Sequence, residues 1–143
     1  MQGDTSEFID IYDDNISYYI RCEHLARYIY ASEQIRKRKA KIVLDAASGS
    51  GFGSAELSKY AQKVIAADKN DPYDSYKKDN IEYINIDLNK CDLEETLNLS
   101  KKIDAAVSFE TLEHLKEPTR LLMSISRIIK NKAAFALTTP AGI

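Results

Sequence analysis

Five short apolar segments alternate with amphipathic or polar segments along the chain. They predict strands at residues 41–46, 63–67, 81–86, 103–109 and 133–138. Most of these segments are almost continuously apolar, which is typical of strands buried on both faces of a sheet. Helices are predicted between them at residues 53–61, 91–99 and 118–129, whereas the polar segment 70–80 predicts none. The alternation therefore predicts an α/β fold, with a parallel sheet between layers of helices.

The sequence also indicates where the last predicted helix begins and that the N-terminal segment is helical. Pro118 suits the first turn of a helix, where a backbone N–H would have no partner inside the helix. Most of the segment before the first strand is expected to be helical, with one apolar face formed by Cys22, Leu25, Ala26 and Ile29. We therefore divide the single domain into an N-terminal helical segment, residues 1–40, and a core of alternating strands and helices, residues 41–143.

Composition narrows the class of protein. The 143 residues carry a net charge of −2, which gives no electrostatic reason to expect a nucleic-acid partner. No apolar segment is long enough to span a membrane, so no membrane partner is expected. Cys22 and Cys91 lie far apart and form no metal-binding pattern, and they are expected to be reduced, buried thiols. These features favour a cytoplasmic location.

The segment between the first predicted strand and the next helix is rich in glycine. Val43 to Ala46 are apolar apart from Asp45, and Gly49, Gly51 and Gly53 follow at alternate positions. Glycine permits a positive φ and lets a ligand approach the backbone closely. In α/β proteins a loop of this kind, at the carboxyl end of a strand, binds a nucleotide. A dinucleotide motif would place its third glycine where Ser54 stands, so the loop alone leaves a dinucleotide and another nucleoside ligand open.

Two further carboxylates follow predicted strands. Asp68 ends the second strand, and Asp87 comes directly after the third. A carboxylate at the end of a strand can accept hydrogen bonds from both hydroxyls of a ribose. Because the carboxyl ends of parallel strands meet at one edge of a sheet, these residues are expected near the glycine loop.

Taken together, these motifs resemble a known family. The order D-x-x-x-G-x-G-x-G from Asp45 to Gly53 resembles motif I of class I S-adenosylmethionine-dependent methyltransferases. Residues 104–115, which contain Glu110, Thr111, Leu112, Glu113 and His114, resemble the motif IV region of the methyltransferase type 11 group. The resemblance extends from about residue 20 to residue 140.

The resemblance implies a Rossmann-like, three-layer α-β-α fold. The family's sheet normally has seven strands in the order 3-2-1-4-5-7-6, and the C-terminal two strands are absent from this sequence. Strand five is therefore expected at an open edge of the sheet, which favours pairing with another chain. A homodimer that covers this edge is one expected arrangement.

The resemblance also implies a set of cofactor-binding residues for S-adenosylmethionine, whose product is S-adenosylhomocysteine. Asp45 and the glycine-loop backbone would hold the methionine end, Asp68 the ribose, and Asp87 with Leu88 the adenine. Arg27 is a candidate partner for the methionine carboxylate. The full set is Arg27, Asp45, Ala46, Ala47, Ser48, Gly49, Gly51, Asp68, Lys69, Asp87, Leu88, Phe109 and Glu110.

The implied function is methyl transfer to a small molecule or glycan, with a hydroxyl group as the expected acceptor. Three roles remain open for Glu110, Glu113 and His114. His114 is the candidate general base, the three side chains together could bind a divalent metal, or Glu113 and His114 could be structural. Two other functions also stay open: a non-catalytic protein that binds the cofactor or a partner, and a nicotinamide-dependent oxidoreductase.

Overall fold

A five-stranded parallel sheet forms the centre of the computed structural model, which describes residues 8–140. The strands are β1 (Ile42–Ala46), β2 (Lys63–Asp68), β3 (Ile81–Asn85), β4 (Ile103–Phe109) and β5 (Ile129–Thr138). Their spatial order is β3-β2-β1-β4-β5, and every neighbouring pair is parallel. The predicted fold class is confirmed, and the order is the one the family resemblance implied for these five strands.

Four α-helices cover the two faces of the sheet. They are α1 (Tyr18–Arg38), α2 (Phe52–Leu57), α3 (Leu93–Leu97) and α4 (Pro118–Ile128). Helices α1 and α2 pack on one face, and α3 and α4 pack on the other. The polar segment between β2 and β3 contains only a short 3-10 turn, Asp74–Tyr76, as its lack of an apolar stripe predicted. No helix within residues 8–140 has the length and apolar character needed to cross a membrane.

Alternate residues of each strand supply the two cores. In β1, Val43 packs into the core below α1 and α2, whereas Leu44 packs into the core below α3 and α4. Both side chains are completely buried. Burial of one such aliphatic side chain is worth about 1.5 to 3 kcal/mol, so the two-sided burial of β1, β2 and β4 fixes the sheet firmly. The loops at its carboxyl edge are therefore held on a rigid support.

The buried face of α1 differs from the predicted one. Cys22, Ala26 and Ile29 are exposed, and the helix instead buries Tyr28, Ala31, Ser32 and Ile35. Both sets have the same helical spacing, so periodicity alone could not choose between them. The prediction of buried cysteines was also wrong, because both thiols are free and exposed.

The strand β5 begins four residues earlier than predicted. Ile129 follows α4 directly and pairs with Ile103, and a bulge then separates this pair from that of Ala134 with Ala105. The exposed polar residues 130–132 occupy the irregular part, which is why the sequence suggested a loop there. Among residues 8–140, β5 pairs with β4 alone and leaves its other edge open.

Asp104 ties the opposite, amino-terminal edge of the sheet together. Its carboxylate accepts hydrogen bonds from the backbone N–H groups of Lys41 and Ile42, at 3.0 and 2.8 Å, and pairs with Lys130 Nζ at 2.6 Å. Partial burial alone would raise the pKa of Asp104, but these donors outweigh it and lower the pKa. This motif-IV carboxylate therefore has a structural environment, remote from the carboxyl edge of the strands.

Candidate functional site

The loop after β1 turns sharply through alternate left-handed residues. Ala47, Gly49 and Gly51 have φ values of 71°, 57° and 98°. The backbone N–H groups of Ala47 and Ser48 both donate to the carbonyl of Ala67 in β2, at 2.7 and 3.1 Å. This anchorage fixes the loop against the neighbouring strand and exposes the backbone around Ala47 and Gly49. Ala47 adopts a conformation that favours glycine, which agrees with its place in the glycine motif.

Gly53 makes room for the side chain of a neighbouring residue, and it does not provide a close approach for a ligand. A Cβ atom at this position would lie 2.1 Å from Cζ of Tyr28 and 2.3 Å from both Cε atoms. The ring of Tyr28 therefore occupies the space that a side chain would need. It also makes edge-on contacts with Phe52 and Phe109, at centroid distances of 5.3 and 4.9 Å. The third glycine of the motif thus lets α1 dock on α2.

Asp45 lies below the loop and is completely buried. The hydroxyls of Ser54 and Tyr28 donate to its two oxygens, at 2.7 and 3.1 Å. Burial raises the pKa of Asp45 to about 7; the two hydrogen bonds oppose the shift, and the nearby charge of Asp68 adds to it. Asp45 therefore joins α1, β1 and α2 from beneath the site, and its complete burial keeps its carboxylate out of reach of a ligand in the loop.

A cavity of about 140 Å³ lies over the carboxyl ends of β1 to β4. Its polar wall contains Asp68, Lys69 and Asp87, and its apolar wall contains Phe8, Ile86, Leu88 and Phe109. One oxygen of Asp68 accepts from the N–H of Gly49 at 2.9 Å, and the other accepts from the N–H of Asn70 at 2.8 Å. A carboxylate has about four acceptor positions, so Asp68 keeps capacity for two ligand hydroxyls.

A second cavity, of about 290 Å³, adjoins the first between α1 and the glycine loop. Ala47, Gly49, Phe109, Glu110 and His114 line both cavities and form the boundary between them. The second wall is completed by side chains from α1 and α2 and from the loop after β4, including His24, Tyr28, Phe52 and Glu113.

The loop after β4 places acidic and basic groups at this boundary. Glu110 has a φ of 50° and donates its backbone N–H to the carbonyl of Thr138 at 3.0 Å, which fixes its direction. Its carboxylate pairs with Arg27 Nη2 at 3.4 Å, while Arg27 Nη1 is buried and has no hydrogen-bond partner among residues 8–140. His114 Nε2 lies 3.6 Å from Glu113. Within residues 8–140 no three His, Cys, Asp or Glu side chains cluster closely enough to hold a metal ion.

Most of the predicted cofactor residues meet at the two cavities. The structure brings together Ala47, Ser48, Gly49, Asp68, Lys69, Asp87, Leu88, Phe109 and Glu110, with His114 and Glu113 beside them. Four others do not line either cavity: Asp45 and Ala46 are buried in β1, Gly51 packs against Pro72, and Arg27 pairs with Glu110 from behind.

Sequence reasoning missed the contribution of residues before β1. Phe8 and Ile9 line one cavity each, and His24 and Tyr28 line the second. The segment Glu23-His24-Leu25-Ala26-Arg27-Tyr28 carried a signal for this contribution, because it places a histidine and a tyrosine one helical turn apart, and both line the second cavity.

The family model and the curated relatives that match this chain are all described as methyltransferases. The model of a family described as "Methyltransferase domain" matches residues 44–137. The chain is 29% identical over 106 residues to the ubiquinone biosynthesis O-methyltransferase of Coxiella burnetii, covering 73% of this chain and 45% of that protein. It is 25% identical over 101 residues to the Mycobacterium tuberculosis protein named "Probable S-adenosylmethionine-dependent methyltransferase MT3114", covering 71% of this chain and 36% of that protein. The chain thus spans less than half the length of these relatives.

Among solved structures, the fold is similar to that of the 1,6-didemethyltoxoflavin-N1-methyltransferase of Burkholderia thailandensis. The TM-score is 0.59 at 17% identity, over 77% of this chain and 51% of that chain. That protein was crystallised with 1,6-didemethyltoxoflavin and S-adenosylhomocysteine. At this identity the similarity concerns the fold alone.

Proposed function

Because this chain belongs to the methyltransferase domain family, we propose that it binds S-adenosylmethionine at the carboxyl ends of its strands and transfers the methyl group to a hydroxyl of a small molecule or glycan. The observation that carries the proposal is the position of Asp68 on the wall of the first cavity. Its carboxylate is held by the N–H groups of Gly49 and Asn70 and keeps acceptor positions toward the cavity.

The chemistry of the first cavity suits an adenosine. Asp68 would accept from the ribose hydroxyls, with charge-assisted hydrogen bonds. Asp87, whose Oδ1 accepts from the N–H of Asn89 at 2.9 Å, would use its other oxygen for the amino group of adenine. Ile86, Leu88 and Phe8 offer apolar surfaces for the planar base.

The chemistry of the boundary between the two cavities suits the remaining parts. The backbone around Ala47 to Gly49 would lie along the methionine portion. When bound, S-adenosylmethionine supplies a methyl group on a positively charged sulfur. Phe109 would keep water from the boundary, and the loop after β4 would orient the acceptor, so that alignment provides most of the rate enhancement.

Calorimetry with S-adenosylhomocysteine tests this function. The wild-type chain should bind it, and Asp68→Asn should weaken binding roughly 30-fold, about 2 kcal/mol, because a charge-assisted contact to the ribose is lost while the side-chain shape is kept. Asp71→Asn, an exposed carboxylate in the same loop, is the matched control and should bind like wild type.

Three results would contradict the proposal or the observation that carries it. Selective binding of NADH in place of S-adenosylhomocysteine would favour an oxidoreductase. Cofactor binding without methyl transfer to any hydroxyl in an acceptor screen would favour a non-catalytic binding protein. An unchanged affinity in Asp68→Asn would remove Asp68 from the site.

A further inference from the structure

The second cavity contains a histidine that lies outside the glycine loop and outside the loop after β4. His24 lies on α1, across the cavity from the loop that carries Glu110, Glu113 and His114. The wall of this cavity also includes the rings of Tyr28, Phe52 and Phe109. An imidazole in such a place faces a space with room for a planar organic molecule. His114, by contrast, belongs to the boundary between the two cavities.

The surroundings of His24 favour its neutral form. Partial burial lowers the pKa of His24, and the positive charge of Arg27 lowers it further. Glu110 and Glu23 act in the opposite direction but do not reverse the shift. The other titratable groups that face this cavity are Glu113, which pairs with His114, and Tyr28, which donates to Asp45. At neutral pH His24 therefore has one ring nitrogen able to accept a proton.

We propose that the second cavity is the acceptor site and that His24 takes the proton of an aromatic hydroxyl, a phenol, during methyl transfer. This assignment depends on the proposed function. As the acceptor oxygen forms its bond to the methyl carbon, the carbon–sulfur bond breaks, its electron pair stays on sulfur, and the hydroxyl proton moves to His24.

The acidity of the acceptor decides in favour of a phenol. A phenolic hydroxyl has a pKa of about 10, roughly three to four units above an ordinary imidazole. A water-like hydroxyl, near 15.7, lies about nine units above it. An imidazole with a lowered pKa is thus a plausible base for the first kind of hydroxyl and a poor one for the second. The aromatic wall adds stacking surface for the phenol ring.

Nuclear magnetic resonance can test the assignment because the sequence has only two histidines. Their imidazole signals are assigned with His24→Asn and His114→Asn, and both are followed from pH 4 to 9 in protein saturated with S-adenosylhomocysteine. Phenol and benzyl alcohol serve as matched probes, since they share the ring and differ in the acidity of the hydroxyl. Phenol should lower the titration midpoint of His24 by about half a pH unit more than benzyl alcohol, because a donor bound to the neutral imidazole favours that form.

Affinities give a second readout. His24→Asn should weaken phenol binding at least threefold and leave the affinity for S-adenosylhomocysteine unchanged, whereas the control Tyr19→Phe, on the exposed side of α1, should change neither. A response of His114 alone, equal effects of the two probes, or a loss of cofactor affinity in His24→Asn would overturn the assignment. Absence of cofactor binding in the wild-type chain would instead refute the proposed function.

Discussion

The contact between Gly53 and Tyr28 allows a sharp test of how α1 is attached to the site. In Gly53→Ala the new methyl group would lie 2.1 to 2.3 Å from three ring carbons of Tyr28, so the ring must move. Overpacking in a core costs about 1 to 3 kcal/mol, and loss of the hydrogen bond from Tyr28 to Asp45 adds about 1.5 to 3 kcal/mol. Alanine gains about 1 kcal/mol over glycine within a helix. The free energy of unfolding should therefore fall by about 3 kcal/mol.

The same substitution should have the opposite sign when the ring is absent. Tyr28→Leu removes Cζ and both Cε atoms, so in that background Gly53→Ala keeps only the gain in helix propensity and should stabilise by up to about 1 kcal/mol. Urea unfolding followed by circular dichroism measures all four proteins. A wild-type-like stability of Gly53→Ala, or an equal loss in both backgrounds, would refute the packing role of Gly53.

Three further substitutions test the loop and the sheet by urea unfolding. Because burial raises the pKa of Asp45 to about 7, the native state holds a proton that the unfolded chain releases above about pH 4. The free energy of unfolding of wild type, relative to that of Asp45→Asn, should therefore fall by on the order of 4 kcal/mol between pH 4 and 8. A difference that does not change with pH would contradict this. Ala47→Gly should stabilise by about 1 kcal/mol because Ala47 has a φ of 71°, and a lower urea midpoint would argue against strain there. Asp104→Asn should lower the free energy of unfolding by about 2 kcal/mol, because it weakens the contacts with Lys130 and with the start of β1. The affinity for S-adenosylhomocysteine, measured by calorimetry, should not change. A weakened affinity would show that the two edges of the sheet are coupled.

The fold was predictable because parallel strands buried on both faces have an almost continuously apolar sequence. Strands β1, β2 and β4 therefore appear at nearly their predicted positions, and Asp68 and Asp87 could be placed at the ends of neighbouring strands. The start of β5 was not predictable, since edge pairing does not require buried side chains at residues 130–132.

The contribution of α1 to the site could be predicted only in part. Arg27 was a predicted cofactor residue, but the rotation of the helix, which brings His24 and Tyr28 to the second cavity, depends on how Tyr28 fits over Gly53, 25 positions later in the chain. The spacing of apolar residues along α1 does not depend on that fit, and the face of the helix that was predicted to be buried was the wrong one. Asp45 shows the same limit: its position in the motif suggested ligand binding, whereas its two oxygens are occupied by side chains from α1 and α2.

The docking of Tyr28 has a consequence for any attempt to cut or recombine this chain. A fragment that starts at residue 41 would retain every glycine of the motif, yet Asp45 would lose one of its two hydroxyl donors and a ring-sized hole would open above Gly53. One wall of the second cavity would be missing as well. The smallest transplantable binding unit therefore includes α1, and a chimera that borrows only the strands and the loop would inherit a recognisable motif without its support.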